Sequence, residues 1–343
     1  MNVKHKWPWL VALLAVLVLV AAGCGGDNEA ATTGAAGGTE TSAGEAIKVG
    51  LVTDIGGLND RGFNSLANKG LEDAKSQLGV EGRVLESKSD ADYIPNLSEF
   101  GDQGYDLIIS VGFLMTDATT KAAKAYPDST FAIVDSAFDP PIDNAQGLLF
   151  KEQETGCLVG VVGALTSKTG TISTVGGQKI PPVDRFIAGY QFCAEKVKPG
   201  IKLLNEYSQD FVDQAKCKEI ALDQIAKDSD VVFQVAGGCG LGALDAAKEK
   251  GVWGIGVDAD QSFLGDHILT SAVKRVDVAV FKTIEAVQKG ETVGGSITSF
   301  GLKEDGVGLG TVNPKVPQDV LDQVDDIKQQ ILDGSLQIPD TVG

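Results

Sequence analysis

From Ile47 onward the chain alternates short apolar runs with longer amphipathic segments, and it does so in two consecutive series. The first predicts strands at 47–53, 82–86, 106–111, 130–134 and 146–150, separated by helices over 62–78, 92–103 and 116–125. The second predicts strands near 170–175, 201–206, 230–235, 252–257 and 268–273, with helices near 183–197, 212–227, 240–250 and 275–289. Strand, helix, strand repeated in this way calls for parallel sheets covered by helices on both faces. Two such series predict an α/β chain of two doubly wound lobes around a cleft. The stretch 316–334 reads as a terminal helix with Leu321, Val324, Ile327 and Ile331 on one face.

The 46 residues before this region are of a different kind. Lys4 and Lys6 precede an apolar stretch from Trp9 to Ala22 that ends in small residues, the pattern of an export signal. It is short for a stable span and has no basic stop-transfer flank. "VAAGC" at 20–24 resembles the lipobox of bacterial lipoproteins, with Ala21 replacing the usual Leu, and marks Cys24 for lipidation after removal of residues 1–23. Residues 24–46 then form a tether of small and acidic residues that cannot bury enough apolar surface to order itself. The expected location is the extracytoplasmic face of the cell membrane, held by lipid.

The formal charge is -18, and loss of Lys4 and Lys6 takes it to about -20. An acidic surface repels phosphates and argues against nucleic acid as a partner. Beyond the signal the only histidine is His267, little material for a metal centre or a His-dependent catalytic site. Cys157, Cys193, Cys217 and Cys239 are an even number in an exported chain, which suggests disulfides with three pairings open.

Ligands of doubly wound sheets sit outside the carboxyl ends of the strands. The residues there are Asp54, then Gly112, Phe113, Thr116 and Asp117, then Asp135, in the first series. In the second they are Gly176 and Gly177, Gly237 and Gly238, Asp258 and Lys274. Taken singly, such an Asp caps the next helix and such a Gly makes a turn. Asp60 fits the cap reading. Caps and turns give no reason for Phe113, Asp258 and Lys274 to share the edge, so the joint placement points to a ligand cleft.

Gly238, Gly240 and Ala243, followed by Asp258 twenty residues after Gly238, match the dinucleotide fingerprint GxGxxA with its ribose-reading acid. Export of the chain and the position of the match deep in the second series argue against NAD. Asp258 is then expected to read a ribose without any cofactor.

Five motifs in order, "DIGGLNDRGFN" (54–64), "GFLMTDA" (112–118), "VGGQKIPPVDRFIAGYQ" (175–191), "GVDADQ" (256–261) and "ILTSAVKRVD" (268–277), resemble the basic membrane protein family of ABC-transporter substrate-binding lipoproteins, of the purine nucleoside receptor A type. The resemblance implies a type I periplasmic-binding-protein fold that closes on a nucleoside, expected to be a purine nucleoside. It implies delivery to an ABC permease, no enzymatic activity, no cofactor and a monomer. Carried over, Asp54, Asn64 and Asp117 read the base, Phe63 and Phe186 sandwich it, and Gly237 or Gly238, Asp258 and Lys274 hold the ribose. The fold so implied assigns 47–150 and about 262–290 to an N-terminal lobe, and about 151–261 and 291–343 to a C-terminal lobe. The four cysteines depart from the family pattern. In lobes of this kind helices 212–227 and 240–250 are expected to be neighbours, which favours Cys217 with Cys239 and leaves Cys157 with Cys193. The other ligands considered on this scaffold are another heterocycle or a vitamin, and the enzyme alternative is an exported dinucleotide-binding one.

Overall fold

The computed structural model describes residues 46–343, so the export signal, Cys24 and the tether up to residue 45 lie outside the described residues. The first series forms β1 (Lys48–Thr53), α1 (Phe63–Leu78), β2 (Glu81–Leu85), α2 (Tyr93–Asp102), β3 (Leu107–Val111), α3 (Thr116–Ala125), β4 (Thr130–Val134) and β5 (Ala145–Phe150). After α4 (Glu152–Thr166), the second forms β6 (Thr171–Gly176), α5 (Pro181–Val197), β7 (Lys202–Tyr207), α6 (Gln214–Ala226), β8 (Val231–Val235), α7 (Gly237–Lys250), β9 (Trp253–Asp258) and β10 (Ile268–Lys274). The chain ends through α8 (Val276–Gln288), β11 (Ile297–Phe300), β12 (Val307–Leu309) and α9 (Gln318–Leu332).

These strands make two six-stranded sheets, ordered β2-β1-β3-β4-β5-β11 and β7-β6-β8-β9-β10-β12. All pairings are parallel except β10 with β12. The central strands are buried along their length, as in β3 and β8, because helices cover both faces. In each sheet the order reverses at the second strand, between β1 and β3 and between β6 and β8, which opens a crevice at the strand ends. The two-lobe architecture is the one expected.

The expected lobe boundaries need correction at two strands. β10 pairs with β9 in the second sheet, although 262–290 was assigned to the first lobe. β11 pairs with β5 in the first sheet, although 291–343 was assigned to the second. α8 does pack on the first lobe, where Val276, Ala279, Val280 and Ile284 join Val49 and Ala67 in one core. The chain therefore crosses between lobes at 150–152, 274–276 and 300–307. The short edge strands β11 and β12 carry too few residues to stand out as a periodic pattern.

Helix α4 was not anticipated, because "EQETGCLVGVVGALT" has no polar face. It is buried on nearly every side. Gly156 and Gly160 let it approach α5 so closely that a Cβ on either would overlap the backbone carbonyls of Phe186 and Tyr190. The Cys157–Cys193 disulfide joins the same two helices, and Cys217–Cys239 joins α6 to α7, as the pairing argument expected. The terminal helix α9 buries Val320, Val324 and Ile327 on the second lobe, with Leu321 and Ile331 half-buried beside them.

Candidate functional site

Between the lobes, at the carboxyl ends of both sheets, lies a cavity whose lining comes from both series. The space between its side chains, solvent mouth included, is about 590 Å³, inside the roughly 300–1,000 Å³ range of small-molecule sites. Eight of the nine expected residues line it: Asp54, Phe63, Asn64, Phe186, Gly237, Gly238, Asp258 and Lys274. Asp117 is the exception. It is exposed on the first turn of α3 and outside the lining.

The first wall is the loop after β1. Asp60 does cap α1: its carboxylate accepts from the backbone amides of Gly62 at 3.0 Å, Asn64 at 2.6 Å and Ser65 at 3.1 Å. The cap fixes where the helix starts, and so aims Phe63 and Asn64, its first two residues, at the cavity. Asn64 Nδ2 donates to Asp54 Oδ1 at 2.8 Å and the Gly56 amide donates to the same oxygen at 3.0 Å. Burial pushes Asp54 up to about 6 in spite of these two donors. Asn64 Oδ1 is buried without a hydrogen-bond partner. A ligand edge carrying N–H groups would meet acceptors here.

The opposite wall belongs to the second lobe. Gly237, with φ of 53°, turns the chain from β8 directly into α7, so the amide end of that helix faces the cavity. The glycines of the dinucleotide fingerprint have packing duties as well. A Cβ on Gly240 would overlap the Gln234 side chain, and one on Gly242 the Gln214 carbonyl. Asp258 ends β9 in the left-handed region at φ of 62°. Burial pushes its carboxyl up to about 7, with Lys274 only partly offsetting the effect.

Lys274, 1% exposed, is the centre of a buried ionic cluster. Its Nζ lies 2.6 Å from the Asp135 carboxylate and 2.9 Å from Glu152 Oε1, and Arg185 Nε donates to Glu152 Oε2 at 2.5 Å. Burial works against the ammonium, but Asp135, Glu152 and Asp258 outweigh it and hold its pKa above the usual lysine value. Nζ also lies 5.0 Å from the Phe63 ring centroid and 5.8 Å from that of Phe186, so one cation approaches aromatic rings from both lobes.

Sequence reasoning missed several members of the lining. Asp135 stood on the strand-edge series but was not chosen, and Phe211, half-buried in the loop before α6, was passed over. An isolated Phe in the polar run "SQDFVD" was an available signal. Gly177 lies under that ring, where a Cβ would overlap it. Ile180, Pro182, Val183, Val235 and Val257 add an apolar wall that resembles ordinary core in sequence. Nothing in the residue pattern marked Glu152, since α4 itself was not foreseen.

The lobes touch around this cavity. Gln261 Nε2 of the second lobe donates to the Arg61 carbonyl of the first at 3.2 Å. A Cβ on Gly62 would lie 3.6 Å from Asp258 Oδ2.

A family model described as "ABC transporter substrate-binding protein PnrA-like" matches residues 47–342. The chain belongs to this Bmp family. The ABC transporter nucleoside-binding protein BmpA of Lactococcus lactis is 35% identical over 351 residues, covering 96% of this chain and 97% of that protein. An uncharacterized lipoprotein of Pyrococcus furiosus is 37% identical over 290 residues, covering 80% of this chain and 72% of that one. Among solved structures, an ABC transporter solute-binding protein from Aeropyrum pernix K1 matches with a TM-score of 0.78 at 30% identity, over 87% of this chain and 94% of its own.

This Bmp-family chain thus has the type I periplasmic-binding-protein fold and is an ABC transporter substrate-binding protein. Its family is one of binding proteins rather than enzymes. No helix among the described residues is long and apolar enough to cross a membrane.

Proposed function

We propose that the protein captures a nucleoside, expected to be a purine nucleoside, between its lobes and delivers it to an ABC permease. The observation that carries this reading is the pairing of two kinds of chemistry in one cavity. Phe63 and Phe186 come from opposite lobes beside the Asp54–Asn64 pair, while Asp258 and Lys274 meet at the other end. Aromatic faces stack a base for about 1–3 kcal/mol each, by analogy with single-strand binders. A carboxylate can accept from two vicinal hydroxyls, and an ammonium can donate to a sugar oxygen.

The names of the Bmp relatives support this reading, the Lactococcus lactis protein being called nucleoside-binding. Lipidation at Cys24 supports a monomer held at the outer face of the membrane. A ligand that touches both lobes favours their closed arrangement, and closure is what a permease can recognise. Gly237 and Gly238 would contribute backbone contacts at the ribose end. Asp117 could take part in base reading only in an arrangement that brings it to the cavity.

Isothermal titration of the full-length protein in detergent with a panel of nucleosides and their free bases tests the reading. Binding that requires the ribose is expected. Binding of a free heterocycle or a vitamin with equal affinity, or of no nucleoside at all, would reject it.

A further inference from the structure

Four carboxylates of the lining, Asp54, Asp60, Asp135 and Asp258, face one ammonium, that of Lys274. They are not equivalent. Asp60 is occupied by the amides of α1, and Asp54 is held by Asn64 and Gly56. Glu152, behind the lining, is engaged at both oxygens by Lys274 and Arg185. Asp135 differs from all of these. It follows β4 in the first lobe, is 6% exposed, and adopts a φ of 69° that few residues other than Gly, Asn or Asp accept. Lys274, from the second lobe, donates to its Oδ2 at 2.6 Å. Oδ1, close to the same ammonium, accepts no hydrogen bond and is buried. That is an acceptor without a donor, on a residue that lines the cavity.

Counting donors narrows what fills the gap. The ammonium of Lys274 has three N–H groups, of which two go to Asp135 and Glu152. It therefore has one left for a ligand and cannot also satisfy Oδ1. The missing donor must come from the ligand. If Asp258 takes the vicinal hydroxyl pair of a ribose, the hydroxyl left over is the exocyclic one.

We propose that Asp135 is a specificity-determining residue of this site, which holds the Lys274 ammonium across the lobe junction and accepts the 5′-hydroxyl of a nucleoside. The proposal rests on the nucleoside reading above. It has a consequence for what the site refuses. A 5′-phosphate would bring one or two negative charges, and no donor of its own at neutral pH, against Asp135, Glu152 and Asp258 in a buried setting. Nucleotides are excluded, and the ligand must be supplied by a phosphomonoester hydrolysis that takes place outside the cell.

The test is calorimetric titration of the full-length protein with adenosine and guanosine, their 5′-deoxy and 2′-deoxy counterparts, and their 5′-monophosphates. For the unmodified protein, loss of the 5′-hydroxyl is expected to weaken binding on the order of tenfold, as for one hydrogen bond to a charged group. The monophosphates are expected to bind at least about a hundredfold more weakly than the nucleosides, by the charge burial just described. In Asp135→Asn, nucleoside and 5′-deoxynucleoside should bind within about twofold of each other, while the 2′-deoxy penalty persists, because the two losses share one interaction. A purely structural role for Asp135 would weaken all ligands alike and leave the 5′ discrimination intact, which would overturn the proposal. Asp135→Ser serves as the second variant. If neither folds, the unmodified protein still decides: 5′-deoxynucleosides binding as well as nucleosides, or monophosphates binding as well, overturns it. If no nucleoside binds at millimolar concentration, the nucleoside reading fails and the proposal with it; if nucleosides bind without 5′ discrimination, only the assignment of Asp135 fails.

Discussion

Glu152 and Lys274 stand beside two different chain crossings between the lobes, yet their charged groups meet 2.9 Å apart. Glu152 opens α4 just after the first crossing, and Lys274 closes β10 just before the second. The junction is thereby built around the same ammonium that lines the cavity.

Replacing Lys274 by Met should destabilise the fold by on the order of 3–5 kcal/mol, because Asp135 and Glu152 would be left as buried charges without a partner. Lys69→Met is the control. Its ion pairs with Asp73 and Asp277 involve a lysine side chain that is 55% exposed, and its loss should cost less than about 1 kcal/mol. Urea unfolding followed by circular dichroism measures both.

The acids of the cavity should make the ligand-free protein less stable as pH rises. Asp258 is ordinarily an acid of pKa 3.8 and is pushed up to about 7 in the fold, beside Lys274, Asp135, Asp60 and Glu152. The folded state therefore holds a proton that the unfolded state has released between these values. Its stabilising effect is complete below about 4 and lost as pH climbs through about 7. Asp54 and Asp135, each at about 6, act in the same direction. Asp258→Asn should melt at a higher temperature than the unmodified protein at pH 8, and the difference should shrink toward pH 4.

Ligand binding should reverse that protonation. Accepting two hydroxyls requires Asp258 as the carboxylate, so a bound nucleoside lowers its pKa and expels a proton. Affinity should rise between pH 6 and 8. Titration heats near pH 6.5 should differ between phosphate and Tris in the direction of proton release, and heats independent of the buffer would count against the role given to Asp258.

Gly156→Ala should cost on the order of 1–3 kcal/mol through overpacking, since its Cβ has no room beside the Phe186 carbonyl. It should also weaken nucleoside binding, because any retreat of α5 carries the Phe186 ring with it. Gly79→Ala meets open space at a φ of 71°, so it should cost only about 1 kcal/mol of backbone strain and leave affinity unchanged. Denaturant melts and calorimetry separate the two effects.

Much of the molecule was legible in one dimension. Strands such as β3 and β8 are uninterrupted apolar runs followed by Gly or Asp, a pattern that only a sheet covered on both faces explains, and it places the ligand edge directly. Residues at strand ends, such as Asp54, Asp258 and Lys274, were therefore found. Residues whose role depends on a partner distant in sequence were not. Asp135 meets Lys274 across 139 positions, and Phe211 reaches the cavity from a loop.

The sequence by itself determined the two-series architecture, the export signal, the family and most of the cavity wall, because each of these is encoded in local periodicity or in short motifs. The tertiary structure alone decided the lobe membership of β10 and β11, the burial of α4 and the position of Asp117 outside the lining. It alone also gathered Asp135, Glu152 and Arg185 around Lys274. Those outcomes depend on which sheet edge offers free backbone groups and on which charges are desolvated together, and neither is a property of any single stretch of chain.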